Sequence, residues 1–184
     1  MKSSYTVIII FILLSCGKAD DTPETGAFGE VSYKINDLEQ TTTNVALKLD
    51  VSPNSKLCDG EHFTLTIDNP ESRLKTRSNA YETLYFDKLT LEAGKRQVGA
   101  TRCENGPQVG VALFSSAGDV LYASYKLIGN EEENWIEIAS YDELSKTLTG
   151  EFNLNFAVEK EHPDNPVPDT VHFTNGRIVA VLQN

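Results

Sequence analysis

The sequence predicts an all-β domain, an antiparallel β-sandwich or partly open β-barrel of about ten strands, behind a cleaved N-terminal signal helix. Two observations lead to this prediction. Short segments in which apolar and polar residues alternate recur along the chain, and turn residues separate them about every 8–12 positions. Helical periodicity is not sustained over ten residues anywhere, and no internal repeat is present. Alternation with a period of two is typical of half-buried strands, so a sandwich or a barrel is favoured.

The strand at residues 147–158 has the cleanest pattern in the chain. Leu148, Phe152, Leu154 and Phe156 share one face, and polar residues occupy the other. A slip of one residue would place these large apolar side chains in water, so we expect a firmly fixed register. The charged segment 70–82 lacks periodicity and is predicted to be a loop. The other predicted strands are 31–35, 45–51, 63–67, 84–91, 98–100, 109–113, 120–127 and 135–139.

The C-terminal part contains a proline-rich segment and an Asn-Gly pair. Residues 159–169 include three prolines, so we expect this segment to lie outside any hydrogen-bonded ladder. Segments 171–173 and 178–182 flank Asn175-Gly176. An Asn-Gly pair suits a type I′ hairpin turn, whose two central residues both need positive φ. A glycine bulge is the alternative.

The amino terminus is built like a secretory signal peptide. Lys2 supplies a positive charge, residues 7–14 are continuously apolar, and small residues follow. Eight residues at ~1.5 Å each cover only about 12 Å of a ~30 Å hydrocarbon core, too little to cross it. Leu13-Leu14-Ser15-Cys16 resembles the bacterial lipobox, which implies cleavage after Ser15 and attachment of lipid, including palmitate, at Cys16. An ordinary cleaved signal with an incidental cysteine is the alternative.

These features divide the chain into a signal peptide at 1–15, a tether at 16–28 and a single β domain at 29–184. The tether is small, polar and acidic, as flexible linkers are. The Lys18-Ala19-Asp20-Asp21 segment resembles the surface-export signal of Bacteroidota lipoproteins, although a solvated linker has the same composition. The predicted location is the outer membrane of a bacterial cell envelope, held by the lipid on Cys16.

Charge and cysteine content limit the partners. The net charge of −11 argues against duplex nucleic acid, because phosphate binding needs clustered Lys and Arg. With Cys16 lipidated, Cys58 and Cys103 remain, and two cysteines in an oxidising compartment favour a disulfide across about 46 residues. Two free thiols are the alternative. A metal site would need more ligands at closer spacing.

Both ends of the domain resemble a family of uncharacterised Bacteroidota lipoproteins. The resemblance lies in the segment 32–36 (SYKIN), in 148–152 (LTGEF) and in 174–178 (TNGRI). In that family the opening strand usually runs into Asn-Gly, whereas here Asp37 follows Asn36. The resemblance implies an all-β protein anchored in the envelope and supplies no activity.

The sequence contains no recognisable catalytic motif, so we predict no enzyme and no cofactor. A metal could be bound by the imidazole and carboxylate groups of residues 162–164, Asp169 and His172. However, His172 alternates with Val171 and Phe173, which indicates a solvent-facing position. We therefore predict no metal site.

Trp135 is the residue that we select for ligand contact. Ile136 and Ile138 must face one side of their strand and Trp135 the other, where it could stack on a sugar ring. We expect Tyr122, Tyr125 and Tyr141 as its companions. A residue of the core or its rim is the alternative reading of Trp135.

Three functions compete. The first is a lipid-anchored, non-catalytic binding or accessory module for a glycan or a protein partner. The second is a structural or assembly protein of the envelope that acts by contact alone. The third is a hydrolase whose carboxylates come together only in the fold.

Overall fold

The computed structural model describes residues 28–50, 62–72, 80–100, 108–130, 132–163 and 166–183. In this part of the chain the secondary structure consists of β-strands, which confirms the predicted all-β class. The eleven strands are β1 Gly29–Ile35, β2 Leu38–Thr42, β3 Val45–Asp50, β4 His62–Asn69, β5 Tyr81–Leu89, β6 Gly94–Ala100, β7 Val109–Ala117, β8 Val120–Leu127, β9 Trp135–Asp142, β10 Thr147–Glu161 and β11 Thr170–Gln183.

The strands form one large, curled sheet around an apolar core. The apolar row of β10 points inward as its alternation predicts, with Leu148, Phe152, Leu154 and Phe156 fully buried. The Phe152 ring packs edge-on against Phe86 of β5, with ring centroids 5.7 Å apart. Aromatic contacts of this geometry link opposite walls of the sheet, so the core is continuous from β5 to β10 and β11.

β10 is the central strand of the molecule. One of its edges pairs with β11 along most of its length. Its other edge pairs first with β9, from residue 147 to 153, and then with β8, from residue 156 to 161. These three partners fix the register that the sequence predicts to be firm.

The sheet is mixed and does not close into a barrel. β3 runs parallel to β11, and the two strands share only the pairs Leu47–Leu182 and Lys48–Gln183. β6 also runs parallel to β7, over three pairs. The other pairings of the sheet are antiparallel, as the sequence predicts. The short β3–β11 pairing leaves an open seam beside β1 and β2.

A two-residue hairpin connects β1 to β2. Asn36 and Asp37 both have positive φ, at 47° and 67°, and Ile35 pairs with Leu38 across the turn. Two central residues with positive φ define the type I′ geometry, which Asn and Asp tolerate better than most residues. β2 is absent from the strands predicted from the sequence, because its residues are too polar to show an alternating apolar pattern.

The Asn175-Gly176 pair does not form a hairpin turn. β11 continues through it, and the bulge named as the alternative is present, although Asn175, at φ 54°, and not the glycine takes the left-handed conformation. The register shifts there against both neighbours, β1 and β10. Gly176 is buried against Phe152, and a Cβ built on Gly176 would lie 2.5 Å from that ring. Packing against Phe152 therefore favours glycine at this position.

The proline-rich segment begins later than predicted. Lys160 and Glu161 pair with β8, so the first residues of the predicted 159–169 loop belong to β10. The predicted signal peptide and almost all of the predicted tether lie outside the described residues. Within the part of the chain that is described, no helix is long and apolar enough to cross a membrane.

Candidate ligand-binding face

A row of exposed polar side chains crosses the outer face of six neighbouring strands. Each residue is paired directly with the next, so their side chains lie on the same face of the sheet. From β6 to β2 the row is Lys95, Glu137, Glu151, Arg177, Ser32 and Thr41. We call it the outer-face row.

The charges along the outer-face row are only partly neutralised. Glu137 and Glu151 are direct cross-strand neighbours, a pairing of like charges that destabilises a sheet. Arg177 lies opposite Glu151, yet the described residues place no carboxylate within 4.0 Å of its guanidinium. Two carboxylates and a guanidinium thus remain available to a ligand.

Trp135 lies beside this row, half-buried, with Gln97 and Asn153 as its cross-strand neighbours. The Lys95 ammonium sits 4.1 Å from the centre of the Trp135 ring. Such a cation–π contact is worth about 0.5–1 kcal/mol at an exposed site. Ile136 and Ile138 point into the core, so Trp135 occupies the opposite face, as the sequence predicts.

The tyrosines expected beside Trp135 are elsewhere. Tyr122 and Tyr125 are each only 7% exposed. Tyr125 belongs to the core, and the Tyr122 ring lies edge-on to the His162 ring, with centroids 6.1 Å apart. Tyr141 packs partly against the core because β9 shifts register between Ile138 and Ser140. The neighbours of Trp135 on its own face are therefore Lys95 and amide side chains, and not tyrosines.

Two shallow grooves meet on the outer face. One, of about 580 Å³, lies over β1, β2 and β11 and is lined by Lys34 and Glu39. The other, of about 480 Å³, lies over β9 to β11 and is lined by Glu137 and Val179. Glu151 and Arg177 line both grooves, so these two side chains form the junction of one extended polar surface.

The loop before β9 is fixed by amide side chains. Asn134 is buried; its Nδ2 donates to the Ile128 carbonyl at 2.8 Å, and its Oδ1 accepts the Asn155 backbone N–H at 2.8 Å. The Asn153 Nδ2 donates to the Glu133 carbonyl at 2.8 Å. Because both loop ends are tied to β10, the start of β9 and hence Trp135 have a defined position.

A buried polar cluster that the sequence does not predict lies at the open seam beside β1 and β2. Glu82, only 3% exposed, sits at the core side of β5. Its carboxylate accepts a short hydrogen bond from the Ser72 hydroxyl, and Tyr33 Oη donates to it at 3.4 Å. Asn69 Nδ2 donates to Tyr33 Oη at 2.9 Å. The cluster joins β1 to β4 and β5 where backbone pairing is missing.

Burial dominates the electrostatics of this cluster. Loss of hydration raises the pKa of Glu82 from 4.5 to about 7, although the hydrogen bonds from Ser72 and Tyr33 act in the opposite direction. Burial and the nearby Glu82 charge raise the pKa of the Tyr33 phenol far above its usual value. Glu82 shares the inward row of β5 with Leu84 and Phe86. A pattern of apolar and polar residues assigns a carboxylate to the outer face or to a loop, so it does not identify Glu82 as buried.

His162, Asp164, Asp169 and His172 are the residues considered for a metal. His172 is exposed, and its Nδ1 lies 2.7 Å from Asn155 Oδ1. Asp164 lies outside the described residues. Across the described ranges, no group of three or more His, Cys, Asp or Glu side chains could hold a metal ion.

The three cysteines, Cys16, Cys58 and Cys103, lie outside the described residues, so lipid attachment and the disulfide stay predictions. Comparisons with protein-family models, with curated proteins and with solved structures found no match.

Proposed function

We propose that this protein is a lipid-anchored module of the bacterial cell envelope that binds a glycan on the outer face of β6, β9, β10, β11, β1 and β2. The observation that carries the proposal is the outer-face row beside Trp135, in which Glu137, Glu151 and Arg177 have no charged partner among the described side chains. The predicted lipid on Cys16 would hold this face at a membrane surface.

The chemistry of the face suits a sugar. A pyranose ring has an apolar face, which stacks on an aromatic ring, and a rim of hydroxyl groups. Trp135 supplies the aromatic ring, and carboxylate and guanidinium groups form charge-assisted hydrogen bonds with hydroxyls. Lys95 covers the Trp135 ring in the free protein, and its flexible four-carbon stem lets the ammonium move onto a sugar hydroxyl.

A glycan array tests the proposal. The wild-type protein should bind at least one glycan, and Trp135→Ala and Arg177→Ala should each weaken binding by about tenfold, the equivalent of ~1.4 kcal/mol. Tyr81→Ala is the matched control, because Tyr81 is an exposed aromatic residue on β5, away from this face. Failure of the wild-type protein to bind any glycan would contradict the glycan proposal.

An envelope protein is the second candidate ligand for the same face, within an assembly that acts by contact alone. The outer-face row carries both positive and negative groups, and this favours such a partner, since charge patterns select partners and fix register. Pull-down from detergent-solubilised membranes should then recover the same protein with wild-type bait and lose it with Arg177→Glu. A Cys16→Ala bait separates capture that depends on the anchor from capture by the face.

A hydrolase is the third candidate, and the facing carboxylates of Glu137 and Glu151 are the observation in its favour. Retaining glycosidases place two carboxyl groups about 5–5.5 Å apart. Here the two groups lie on an open face. New reducing ends released from an array-positive glycan, and their loss in Glu151→Gln, would identify hydrolysis.

A further inference from the structure

Three parts of the chain meet at one end of the domain, beside the C-terminal residues of β11. Phe28, where the chain enters β1, accepts the Val181 N–H on its carbonyl at 2.6 Å. On the other side of β11, the Lys146 carbonyl in the β9–β10 turn accepts the Leu182 N–H at 2.9 Å. The N-terminal segment and the β9–β10 turn therefore leave the sheet at the same end, separated by one strand.

The β9–β10 turn presents a leucine to solvent. Leu144 is 97% exposed, more than any other large apolar side chain in the described residues. The turn is nevertheless held in place, because Asp142 Oδ1 accepts the Leu144 and Ser145 backbone N–H groups at 2.8 and 3.2 Å. A leucine held out from a fixed turn does not stabilise the core.

Other apolar side chains are exposed on β11 or beside it. Phe28 is 45% exposed, and Val179 on the outer face of β11 is 46% exposed. Val179 pairs directly with Thr149 and Glu30, the residues that flank it on β10 and β1. This end therefore carries apolar side chains on both sides of β11.

The predicted tether is short compared with the size of the domain. Eleven residues lie between Cys16 and Phe28, so the twelve steps from one Cα to the other span at most about 40 Å when fully extended. As a flexible chain they would have a root-mean-square length of ~20 Å. A lipid on Cys16 would thus keep Phe28 and the neighbouring turn close to the bilayer surface.

We infer that this end of the domain is a membrane-facing surface, and that Leu144 inserts into the headgroup region of the bilayer that holds the anchor. The inference rests on the lipid anchor of the proposed function. Interfacial anchors place apolar side chains about 5–10 Å into the headgroup and acyl boundary. Glu143, next to Leu144 and exposed, stays in the hydrated headgroup layer.

Tryptophan fluorescence in vesicles tests the insertion. In a Trp135→Phe background, Leu144→Trp reports on the turn and Leu121→Trp is the matched control. Leu121 is 51% exposed on β8, which pairs with the far end of β10, about 45 Å along that strand at ~3.3 Å per residue. The mature lipidated chain is reconstituted into phosphatidylethanolamine and phosphatidylglycerol vesicles with and without lipids brominated near the headgroup.

Bromolipids should quench the tryptophan at 144 by about twofold or more, as expected for a ring at the interface, and leave the tryptophan at 121 unchanged. Equal quenching at the two positions, or none at 144, in protein that floats with the vesicles would overturn the inference while the lipid anchor stands.

A second arm keeps the two proposals separate. The same variants carry Cys16→Ser and an N-terminal histidine tag, and are bound to vesicles that contain a nickel-chelating lipid. Quenching at 144 in this arm, together with failure of the native chain to float, would support the membrane-facing end and contradict the lipid anchor. Absence of quenching here as well as in the first arm would contradict the inference for any tether.

Discussion

Glu82 is a carboxyl group that the fold places on the core side of β5. Directly across from it on β7 lies Ser115, whose hydroxyl is buried and has no hydrogen-bond partner among the described residues. The hydroxyl of Tyr125 is in the same condition, and the charge of Glu82 contributes to raising its pKa. Because burial removes hydration from the carboxyl group, the protonated form of Glu82 is favoured in the folded protein up to about pH 7.

This raised pKa predicts how stability depends on pH. The folded protein holds the Glu82 proton more tightly than the unfolded chain does, because the pKa rises from 4.5 to about 7. The contribution of this group is complete below about pH 4.5 and is lost as the pH rises through 7. Glu82→Gln cannot ionise, so it should be more stable than the wild type at pH 8 by up to ~3 kcal/mol.

Urea unfolding at pH 5, 6, 7 and 8 measures this difference. The gap between the wild type and Glu82→Gln should widen as the pH rises. Glu137→Gln, which removes an exposed carboxylate from β9, should keep the pH dependence of the wild type. A gap that stays constant from pH 5 to pH 8 would show that Glu82 ionises as an ordinary carboxyl group.

The bulge in β11 changes the path of the whole strand. It lets one strand bend around the core while it pairs with β1 on one side and β10 on the other. Bulges increase the local twist and re-aim side chains. In β11 the glycine of the bulge also makes room for the Phe152 ring, a side chain at the centre of the core.

Gly176→Ala should destabilise the fold by about 1–3 kcal/mol, the usual cost of forcing a methyl group into a packed core. Gly99→Ala is the control, since its Cβ would meet only the end of the flexible Gln108 side chain, which can move away. Chemical denaturation gives both free energies of unfolding. Equal values for the two variants would mean that Phe152 shifts at no cost.

The strand order of the whole molecule is relevant to the predicted disulfide between Cys58 and Cys103. The segments that carry Cys58 and Cys103 follow β3 and β6 and lead into β4 and β7. β5 pairs with both β4 and β7. Near one end of β5, Leu89 pairs with Phe63 of β4, and Phe86 pairs with Val111 of β7. Two strands separated by a third are about 10 Å apart, so the first residues of β4 and of β7 lie close to each other.

We therefore expect Cys58 and Cys103 to be joined in the mature protein. Peptide mapping by mass spectrometry without reduction should recover one linked pair. Cys58→Ser, Cys103→Ser and the double variant should each lose about 2–4 kcal/mol of stability, by the same amount in all three. Recovery of both cysteines as free thiols from protein exported to the envelope would contradict the disulfide.

The fold class and most of the strands follow from the amino-acid sequence alone. Alternation of apolar and polar residues is a local property of the sequence. In β10 it predicts the residues of the inward row, and these residues are buried. The sequence also placed Trp135 on the face opposite Ile136 and Ile138, because neighbouring residues in a strand must point to opposite sides.

Which faces and charges come together depends on the pairing of strands in three dimensions. The pairing of Lys95 with Glu137, and of Glu151 with Arg177, joins residues far apart in the chain. Strand order and register depend on long-range contacts, which a periodic pattern does not encode. The same reason applies to Glu82, whose burial is set by strands that precede and follow it, and to Asn175-Gly176, where pairing on both sides selects a bulge over a turn.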